Sequence, residues 1–472
     1  MKMLRTATAV PAASAPRPQS RGKDKLLLLS LVIAFVIVFM VVPEGLDYEA
    51  TKNGMPASGS TLTKLLWLCF LGIGVIKMNS VKPAVKKVLY DNRYLVGLVI
   101  LSGMSYLWSI EPGVTMRRMI RILAITAICA AYAASMFNPR SFQSALRPVL
   151  TVLLIGSIVF ALTLPEYGIE QLDLFELAGA WKGMTTQKNA LGTLASLATL
   201  LWMHALISRQ SGMMLSLVGI GVSVTCLVNS RSSTSIISTV FAAVLMLMLM
   251  RSPGSLKRFM PYLVGIFVSI ILLYSMAILH IVSGLDFLLT PITSITGKDL
   301  TFSGRTDIWD ILNEYMSARP LVGKLLGSGY GAYWIGDVPE SPSHIMMVKL
   351  EFYPTEAHNG YLDVLNDLGW VGEFLLIGYI ILFLRQALRL YGLDRAQGAL
   401  FLVLLFHQLI TNLTEAVWFN VRGVLFIIVT LTTMCLSRCL QLQLDARNAS
   451  APRRAPAAAA ARMPVNPFAR IR

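Results

Sequence analysis

Charged residues are scarce in this chain of 472 residues: Asp, Glu, Lys and Arg make up 14% of it, whereas a soluble domain has about 25%. Cysteine is rare as well, with five residues that all lie in apolar segments and form no Cys-x-x-Cys pair. The low charge excludes a soluble multidomain enzyme and a disordered protein, and the cysteine pattern excludes a disulfide scaffold and a cysteine metal site. Apolar residues, in contrast, make up 55% of the chain. This composition indicates a polytopic membrane protein.

Twelve runs are long and apolar enough to predict membrane-spanning helices. They are residues 25–42, 62–78, 94–110, 119–137, 148–164, 189–208, 214–229, 234–250, 260–284, 366–384, 398–412 and 420–437. The first run follows Lys23 and Lys25, as in a signal peptide, but no small-residue cleavage site follows it, so we expect a retained anchor. The sequence therefore predicts an all-α polytopic fold with about 12 transmembrane helices.

The charges are sorted by membrane side. With the amino terminus inside, the predicted cytoplasmic segments contain 27 of the 41 Lys and Arg residues but only 4 of the 25 Asp and Glu residues. The positive-inside rule then places both termini in the cytoplasm. Because this sorting accounts for the net charge of +16, the charge does not indicate a nucleic-acid partner.

Two tails and one long loop complete the predicted organisation. Residues 1–24 and 438–472 form basic cytoplasmic tails that we expect to be disordered, since both include low-complexity stretches rich in Ala, Pro and Arg. Helices 1–9 occupy residues 25–284, and helices 10–12 occupy residues 366–437. Between them, residues 285–365 form one large external loop. Long loops usually carry function, so we expect the site in this loop or at the membrane edge beneath it.

Several basic residues break the trend by lying at external helix ends. Arg231 stands in a short turn between two crossings, and Arg305 precedes a predicted amphipathic helix. Lys188 and the pair Arg117 and Arg118 begin two further crossings. Guanidinium groups and helix N-termini both favour phosphate oxygens, so the arrangement predicts a polyanionic ligand such as a lipid-linked pyrophosphate. The alternative is that these side chains reach lipid headgroups or occupy exposed helix starts.

His358 is the only one of the five histidines at the N-terminal entry of an external helix. That position lowers the basicity of an imidazole and keeps it neutral near pH 7, able to accept a proton. The alternative is a structural cap. No tight acid pair or DxD-type cluster is visible, and we therefore expect no metal and no cofactor. The acidic residues nearby are interpreted as helix-start residues or sugar contacts: Asp307, Asp310, Glu356 and Asp363.

The motifs occur in an order and topology that resemble one family. They are Trp108-Ser109…Pro112…Arg117-Arg118, Lys188-Asn189…Gly192, Ser230-Arg231-Ser232, Gly304-Arg305…Ile308-Trp309, Gly327-Ser328-Gly329-Tyr330-Gly331, His358-Asn359-Gly360-Tyr361-Leu362, Leu368-Gly369…Gly372 and Asn412-Leu413-Thr414-Glu415. With these motifs the chain resembles the O-antigen ligase and polysaccharide polymerase superfamily. Within it, the chain looks most like the polymerases of bacterial exopolysaccharide repeat units.

The resemblance implies a GT-C-like glycosyltransferase of the bacterial inner membrane. Its donor would be an undecaprenyl-pyrophosphate-linked oligosaccharide and its acceptor another glycan, with membrane lipid, a flippase and chain-length or export proteins as further partners. By motif, Arg231 and Arg305 would bind the donor pyrophosphate, and His358 would act as base on the acceptor hydroxyl or orient it. The substrate-binding positions carried over are Lys188, Asn189, Arg117, Arg118, Asn359 and Tyr361.

Three alternatives to a polymerase stay open. A ligase of the same family would transfer the glycan to lipid A–core instead of to another lipid-linked repeat. A secondary transporter would suit twelve spans, and His204, His407 and Glu415 are its candidate in-membrane groups. A non-enzymatic scaffold of a polysaccharide machine is the third. We predict that Arg231, Arg305 and His358 meet at the outer face if the protein is an enzyme.

Overall fold

The computed structural model describes residues 29–32, 61–135, 141–171, 179–251, 258–278, 305–336, 339, 341–421 and 423–450. These residues are mainly helical, and the isolated β-bridges among them amount to one antiparallel pair, Ile169 with Trp181. The named helices are α1 (Thr61–Ser80), α2 (Lys82–Asp91), α3 (Arg93–Met104), α4 (Pro112–Ser135), α5 (Ser141–Thr163), α6 (Pro165–Gly168), α7 (Lys188–Ile207), α8 (Met213–Asn229), α9 (Ser233–Arg251), α10 (Met260–Ile278), α11 (Arg305–Ala318), α12 (Leu321–Leu326), α13 (His344–Leu350), α14 (Gly360–Leu393), α15 (Arg395–Thr411) and α16 (Val424–Ser450). The predicted all-α class is confirmed for this part of the chain.

Six of these helices are long and apolar enough to cross a membrane: α4, α5, α7, α9, α14 and α16. A seventh span results if the bent pair α1 and α2 is taken as one. Eleven of the twelve predicted crossings fall on described helices, while the run 25–42 lies almost wholly outside the described residues. Since α8 and α15 have only 17 residues each, length and apolarity do not establish that they span. The protein is a multi-pass membrane protein, and the count of twelve stays a prediction.

The segment after α1 is a helix and not a plain cytoplasmic loop. Helix α2 turns away from α1 at 108° across a one-residue break. Val85 and Val88 are buried, whereas Lys86 and Lys87 face outward. A helix with one apolar and one basic face is suited to the membrane surface, and it accounts for the concentration of lysines in this segment.

At each end of the bundle a hydrogen bond joins two segments that are distant in sequence. At one end the Trp181 N–H donates to the Asn229 carbonyl at 2.9 Å, which joins the chain before α7 to the turn after α8. At the other end Gln441 Nε2 donates to Asp91 Oδ2 at 2.7 Å, which joins α16 to the end of α2. The first pair was predicted to be external and the second cytoplasmic, so the contacts agree with the predicted alternation.

The external loop packs on the bundle through α11. Its buried face includes Ile308, Trp309 and Leu312, at the helical spacing that predicts an amphipathic helix after Arg305. Trp309 Nε1 donates to the Ala357 carbonyl at 2.8 Å. The helix is therefore fixed to the segment that carries His358, and its apolar face is covered by protein.

Helix α14 is broken near its amino-terminal end. Gly369 has φ of +64°, outside the helical region, and a Cβ at this position would lie 2.4 Å from the Leu325 backbone. Glycine is therefore required both for the conformation and for the close approach of the end of α12. The break lies three residues inside the run 366–384 that was predicted to cross the membrane, and it sets off the first turns of α14 from the rest of that run.

Candidate active site

Three segments that are distant in sequence converge on the carboxylate of Glu415, in the turn after α15. Arg305 Nη2, at the start of α11, lies 3.0 Å from Glu415 Oε1, and its Nη1 donates to the Thr414 carbonyl. Asn189 Nδ2, in the first turn of α7, donates to the same Oε1 at 2.7 Å. The other oxygen, Oε2, lies 3.7 Å from His358 Nδ1. Glu415 thus joins Arg305, Asn189 and His358 in one charged cluster.

A second buried carboxylate, that of Glu356, completes this cluster. Its Oε1 lies 3.4 Å from His358 Nδ1 and accepts a hydrogen bond from Gln187 Nε2, also at 3.4 Å. Its Oε2 accepts from Asn420 Nδ2 at 2.9 Å. Arg305, Glu356, His358 and Glu415 are called the His358 cluster below. Both acids are buried, and the imidazole has 23% of its side chain exposed.

The backbone around His358 is held in an uncommon conformation. His358 has φ of +49°, in the left-handed region that non-glycine residues rarely adopt. The next residue, Asn359, caps α14, since its Oδ1 accepts from the Tyr361 and Leu362 N–H groups at 3.0 and 3.2 Å. The Gly360 N–H donates to the Asn412 carbonyl at 2.9 Å, which ties this turn to the end of α15. Strain of this kind concentrates at functional sites, where surrounding contacts maintain it.

The two carboxylates set the protonation of His358. Burial alone would lower the pKa of the imidazole, but the contact with Glu415 and the negative charges of Glu356 and Glu415 together raise it above its usual range. Burial would raise the pKa of Glu415, but His358 and Arg305 hold it below its usual range. The helix entry alone had predicted a lowered basicity for His358. The structure reverses that expectation, because the charges of two nearby acids outweigh a helix end.

Among the described residues, Glu356, His358 and Glu415 form a group whose potential metal-ligand atoms all lie within 4.8 Å of one another. The sequence had shown no tight acid pair, so this pairing corrects that interpretation. Arg305, however, lies 3.0 Å from one of the carboxylates and already supplies a positive charge there. A guanidinium at this distance opposes a divalent cation by charge repulsion, so the donor set suits a proton better than a metal.

Arg231 stands in the three-residue turn between α8 and α9, as the sequence predicts, with φ of +50°. Its guanidinium lies over Gly179, where a Cβ would be 3.7 Å from both terminal nitrogens. The turn packs closely on α7, since a Cβ at Gly192 would lie 2.8 Å from Ser230 Oγ and Ser232 Cβ. Gly192 therefore allows the segment 230–232 to pack closely on α7. This contact lies three residues along α7 from Asn189, which donates to Glu415.

The other predicted binding residues have different surroundings. Lys188 begins α7 and is half-buried beside Asn189, and Arg117 is exposed in the first turns of α4. Arg118 donates to the Trp334 carbonyl at 3.4 Å and packs against Gly331 in the external loop. These contacts give Arg118 a role in holding the loop.

Asn359 and Tyr361 are buried in the described structure. Asn359 is 1% exposed and caps α14, and Tyr361 is 3% exposed, with its hydroxyl donating to the Leu409 carbonyl at 3.2 Å. Both positions support the turn that carries His358. Their contact with substrate stays a prediction.

Sequence reasoning did not assign catalytic roles to Glu356 and Glu415. Glu356 was interpreted as a helix-start residue or sugar contact, and Glu415 appeared only within a motif and as a transporter candidate. Their approach to His358 depends on how α11, α14 and α15 pack together. Local sequence patterns do not predict this packing. The Asn412-Leu413-Thr414-Glu415 motif was the signal that could have indicated Glu415.

Comparisons with known proteins match the part of the sequence that carries several of these site residues. Residues 218–377, which include Arg231, Arg305 and His358, match the family model described as O-Antigen ligase. The chain is also 27% identical over 313 residues to the exopolysaccharide production protein ExoQ of Rhizobium meliloti (strain 1021), covering 64% of this chain and 67% of that protein. The two findings confirm the resemblance to the O-antigen ligase and polysaccharide polymerase superfamily.

The role of base that the resemblance implies for His358 predicts a pH dependence that the neighbouring carboxylates set. A base must be neutral to accept a proton, so activity of the wild-type chain is expected to rise with pH through the raised pKa of His358. In Glu415→Gln one negative charge is lost, the pKa of His358 falls, and the rising limb moves to lower pH. The maximal rate drops because Arg305 loses its ion pair. Rates of glycan transfer measured from pH 5 to 9 check this. An unmoved or upward-shifted limb would contradict the assignment.

Proposed function

We propose that this protein is a membrane glycosyltransferase that polymerises undecaprenyl-pyrophosphate-linked oligosaccharide repeat units into an exopolysaccharide or O-antigen. The observation that carries the proposal is the His358 cluster, in which a base, its two carboxylates and an arginine meet at one end of the bundle. The O-Antigen ligase family match and the similarity to an exopolysaccharide production protein support the substrate class.

In the proposed reaction His358 takes the proton of the acceptor. Its Nδ1 faces Glu356 and Glu415, at 3.4 and 3.7 Å, which favours a proton on Nδ1 and leaves the Nε2 lone pair for the acceptor hydroxyl. The hydroxyl oxygen bonds to the anomeric carbon of the donor as its proton moves to Nε2. Glu356 and Glu415 then stabilise the imidazolium, as a carboxylate does beside a catalytic histidine.

The donor side of the proposal rests on the arginines. As the bond from the anomeric carbon to the pyrophosphate oxygen breaks, its electron pair leaves with undecaprenyl pyrophosphate, and negative charge develops there. Arg305 and His358 both contact the Glu415 carboxylate. Arg231 lies in the turn that packs against Gly192 of α7. Fixed guanidinium groups stabilise the developing charge without reorganisation, and the leaving group then needs no proton. A single displacement of this kind inverts the anomeric centre.

The proposed reaction is independent of metal. Addition of a chelator to membranes that contain the protein is expected to leave transfer unchanged, because Arg305 supplies the positive charge at Glu415. The measurement is polymer yield with and without EDTA, and a mock-treated sample is the control. Inhibition that a divalent cation reverses would assign Glu356, His358 and Glu415 to a metal site instead.

We also propose how the protein is placed in the membrane. We place the protein in the bacterial inner membrane with both termini in the cytoplasm, twelve spans and a GT-C-like arrangement, so that the His358 cluster faces the outer side. A flippase that delivers the lipid-linked donor and proteins that control chain length or export are its proposed partners. The charge sorting of the sequence supports the orientation.

The proposal is tested by the glycans of a deletion strain complemented with the wild-type chain or with His358→Ala. We expect single repeat units to accumulate on the lipid carrier in the deletion strain and only the wild-type gene to restore polymer. Polymer retained on the carrier, together with bare lipid A–core, would establish the ligase instead. Unchanged pools would favour the transporter or the scaffold.

A further inference from the structure

The surface of the protein changes sharply from apolar to charged between α1 and α2. Helix α1 exposes large apolar side chains along its length, among them Leu65, Leu68 and Ile76, which is 73% exposed close to the bend. In α2, three of the ten residues are lysines. Lipid hydrocarbon accommodates the first kind of surface and excludes the second, because a charged side chain is costly inside a bilayer. The edge of the membrane therefore lies near the bend.

The bend also orients α2 along the membrane surface. Helix α1 has 20 residues, enough to cross the hydrocarbon core, and contains most of the predicted crossing 62–78. Helix α2 leaves it at 108°, so a spanning α1 places α2 roughly in the plane of the membrane. Val85 and Val88 are buried where α2 packs against α4 and α16. The opposite side of α2 faces outward, at the depth of the headgroups.

This outward side carries positive charge that the described chain does not neutralise. Lys82 and Lys86 are exposed, lie four residues apart on the same side of α2, and form no ion pair with any residue that the structure describes. Lys87 has only a long contact with Asp91, at 3.9 Å. The same carboxylate oxygen accepts a hydrogen bond from Gln441 at 2.7 Å, which directs it toward α16.

Lysines at these positions are unfavourable for an isolated helix. Like charges four residues apart repel each other, and Lys82 stands in the first turn, where the helix dipole opposes a cation. An anion beside both ammonium groups would relieve the repulsion. The same side of α2 carries Tyr90, which is 71% exposed and belongs to a residue type enriched at membrane interfaces. The phosphate groups of anionic lipids are the anions found at this depth.

We propose that the outward side of α2 is a binding site for the headgroup of an anionic phospholipid. Lys82 and Lys86 contact the phosphate, and Lys87 and Tyr90 border it. The acyl chains then lie along the exposed apolar side of α1, near Ile76. Binding holds α2, and with it the adjacent parts of α4 and α16, at the membrane surface. The site is separate from the His358 cluster and does not depend on the proposed transfer.

Hydrogen exchange of the α2 amides, followed by mass spectrometry, tests the site locally. The purified full-length chain is placed in nanodiscs of phosphatidylcholine, with or without added phosphatidylglycerol. A lysine near an anionic membrane surface strengthens binding about fivefold, so we expect phosphatidylglycerol to slow exchange of residues 86–91 by about tenfold or more. High salt should weaken this slowing, because it screens exposed charges.

The variant Lys82→Gln/Lys86→Gln should lose the slowing, and each single substitution should lose part of it. Both side chains are exposed, so the neutral substitutions leave the packed side of α2 intact. The matched control is Lys324→Gln/Lys349→Gln, which removes two lysines from helices of the external loop and the same net charge. It should respond to phosphatidylglycerol as the wild type does.

Equal exchange of wild-type α2 in the two kinds of nanodisc would overturn the site, and so would a full response of the double variant. Inorganic phosphate that slows exchange as much as phosphatidylglycerol does would overturn the assignment to a lipid. Slowing in native membranes without any effect of phosphatidylglycerol would indicate an acidic protein partner instead. None of these results bears on the transferase, which the glycan pools of the deletion strain test separately.

Discussion

His358→Ala is expected to lower glycan transfer by about 10²–10⁴-fold, the contribution typical of a positioned general base. The imidazole is the group in the His358 cluster that can both lose and accept a proton beside two buried carboxylates. Without it Glu356 and Glu415 remain close together with Arg305 as their nearby positive charge. The rate of polymer formation in membranes that contain equal amounts of each protein checks the prediction.

The control for this substitution is His344→Ala, which removes another histidine of the external loop, at the start of α13. It is expected to support normal transfer, because His344 does not belong to the His358 cluster. Wild-type chain lengths in His358→Ala would remove the base from the mechanism. An equal loss in both variants would point to a general disturbance of the loop.

Arg305→Ala has the second large expected effect, a loss of about 10²–10³-fold, comparable with removal of one group that stabilises a developing negative charge. The substitution also leaves the buried carboxylate of Glu415 without its nearest cation, which is costly in itself. Arg305→Lys is expected to recover only part of the activity. A lysine presents a point charge and cannot donate to Glu415 and the Thr414 carbonyl with the fork of a guanidinium.

The matched control is Lys349→Ala, which removes a basic residue of the same loop. Lys349 pairs with Glu314 at 2.8 Å on the surface, and exposed pairs of this kind contribute little. Transfer by this variant should equal that of the wild type. Full activity of Arg305→Lys would show that bulk positive charge is sufficient, and full activity of Arg305→Ala would remove the residue from the site.

The sequence predicts those features that depend on local patterns. Helical spacing of Ile308, Trp309 and Leu312 predicts α11, and the short polar turn around Arg231 predicts the close connection between α8 and α9. Hydropathy likewise predicts the helices of the bundle, because the lipid environment requires apolar runs of fixed length. It does not predict the sharp bend before α2, where a single residue changes the direction of the chain by 108°.

The site depends on tertiary contacts that local patterns do not encode. Glu356 and Glu415 approach His358 only because Gly360 and Asn412 bring the start of α14 to the end of α15. The same contacts reverse the pKa shift expected for His358 from its helix position alone. Sequence reasoning thus predicted two residues that the structure brings together, His358 and Arg305, and the structure adds the two acids beside them.

In the proposed mechanism the His358 cluster catalyses transfer from a pyrophosphate-linked donor. The most direct measurement uses the purified full-length chain in liposomes with lipid-linked repeat units, and follows polymer and released undecaprenyl pyrophosphate together. We expect the wild-type chain to form both products in step, without added metal, and His358→Ala and Arg305→Ala to form both at least about a hundredfold more slowly. Polymer formation by both variants at the wild-type rate would contradict this mechanism.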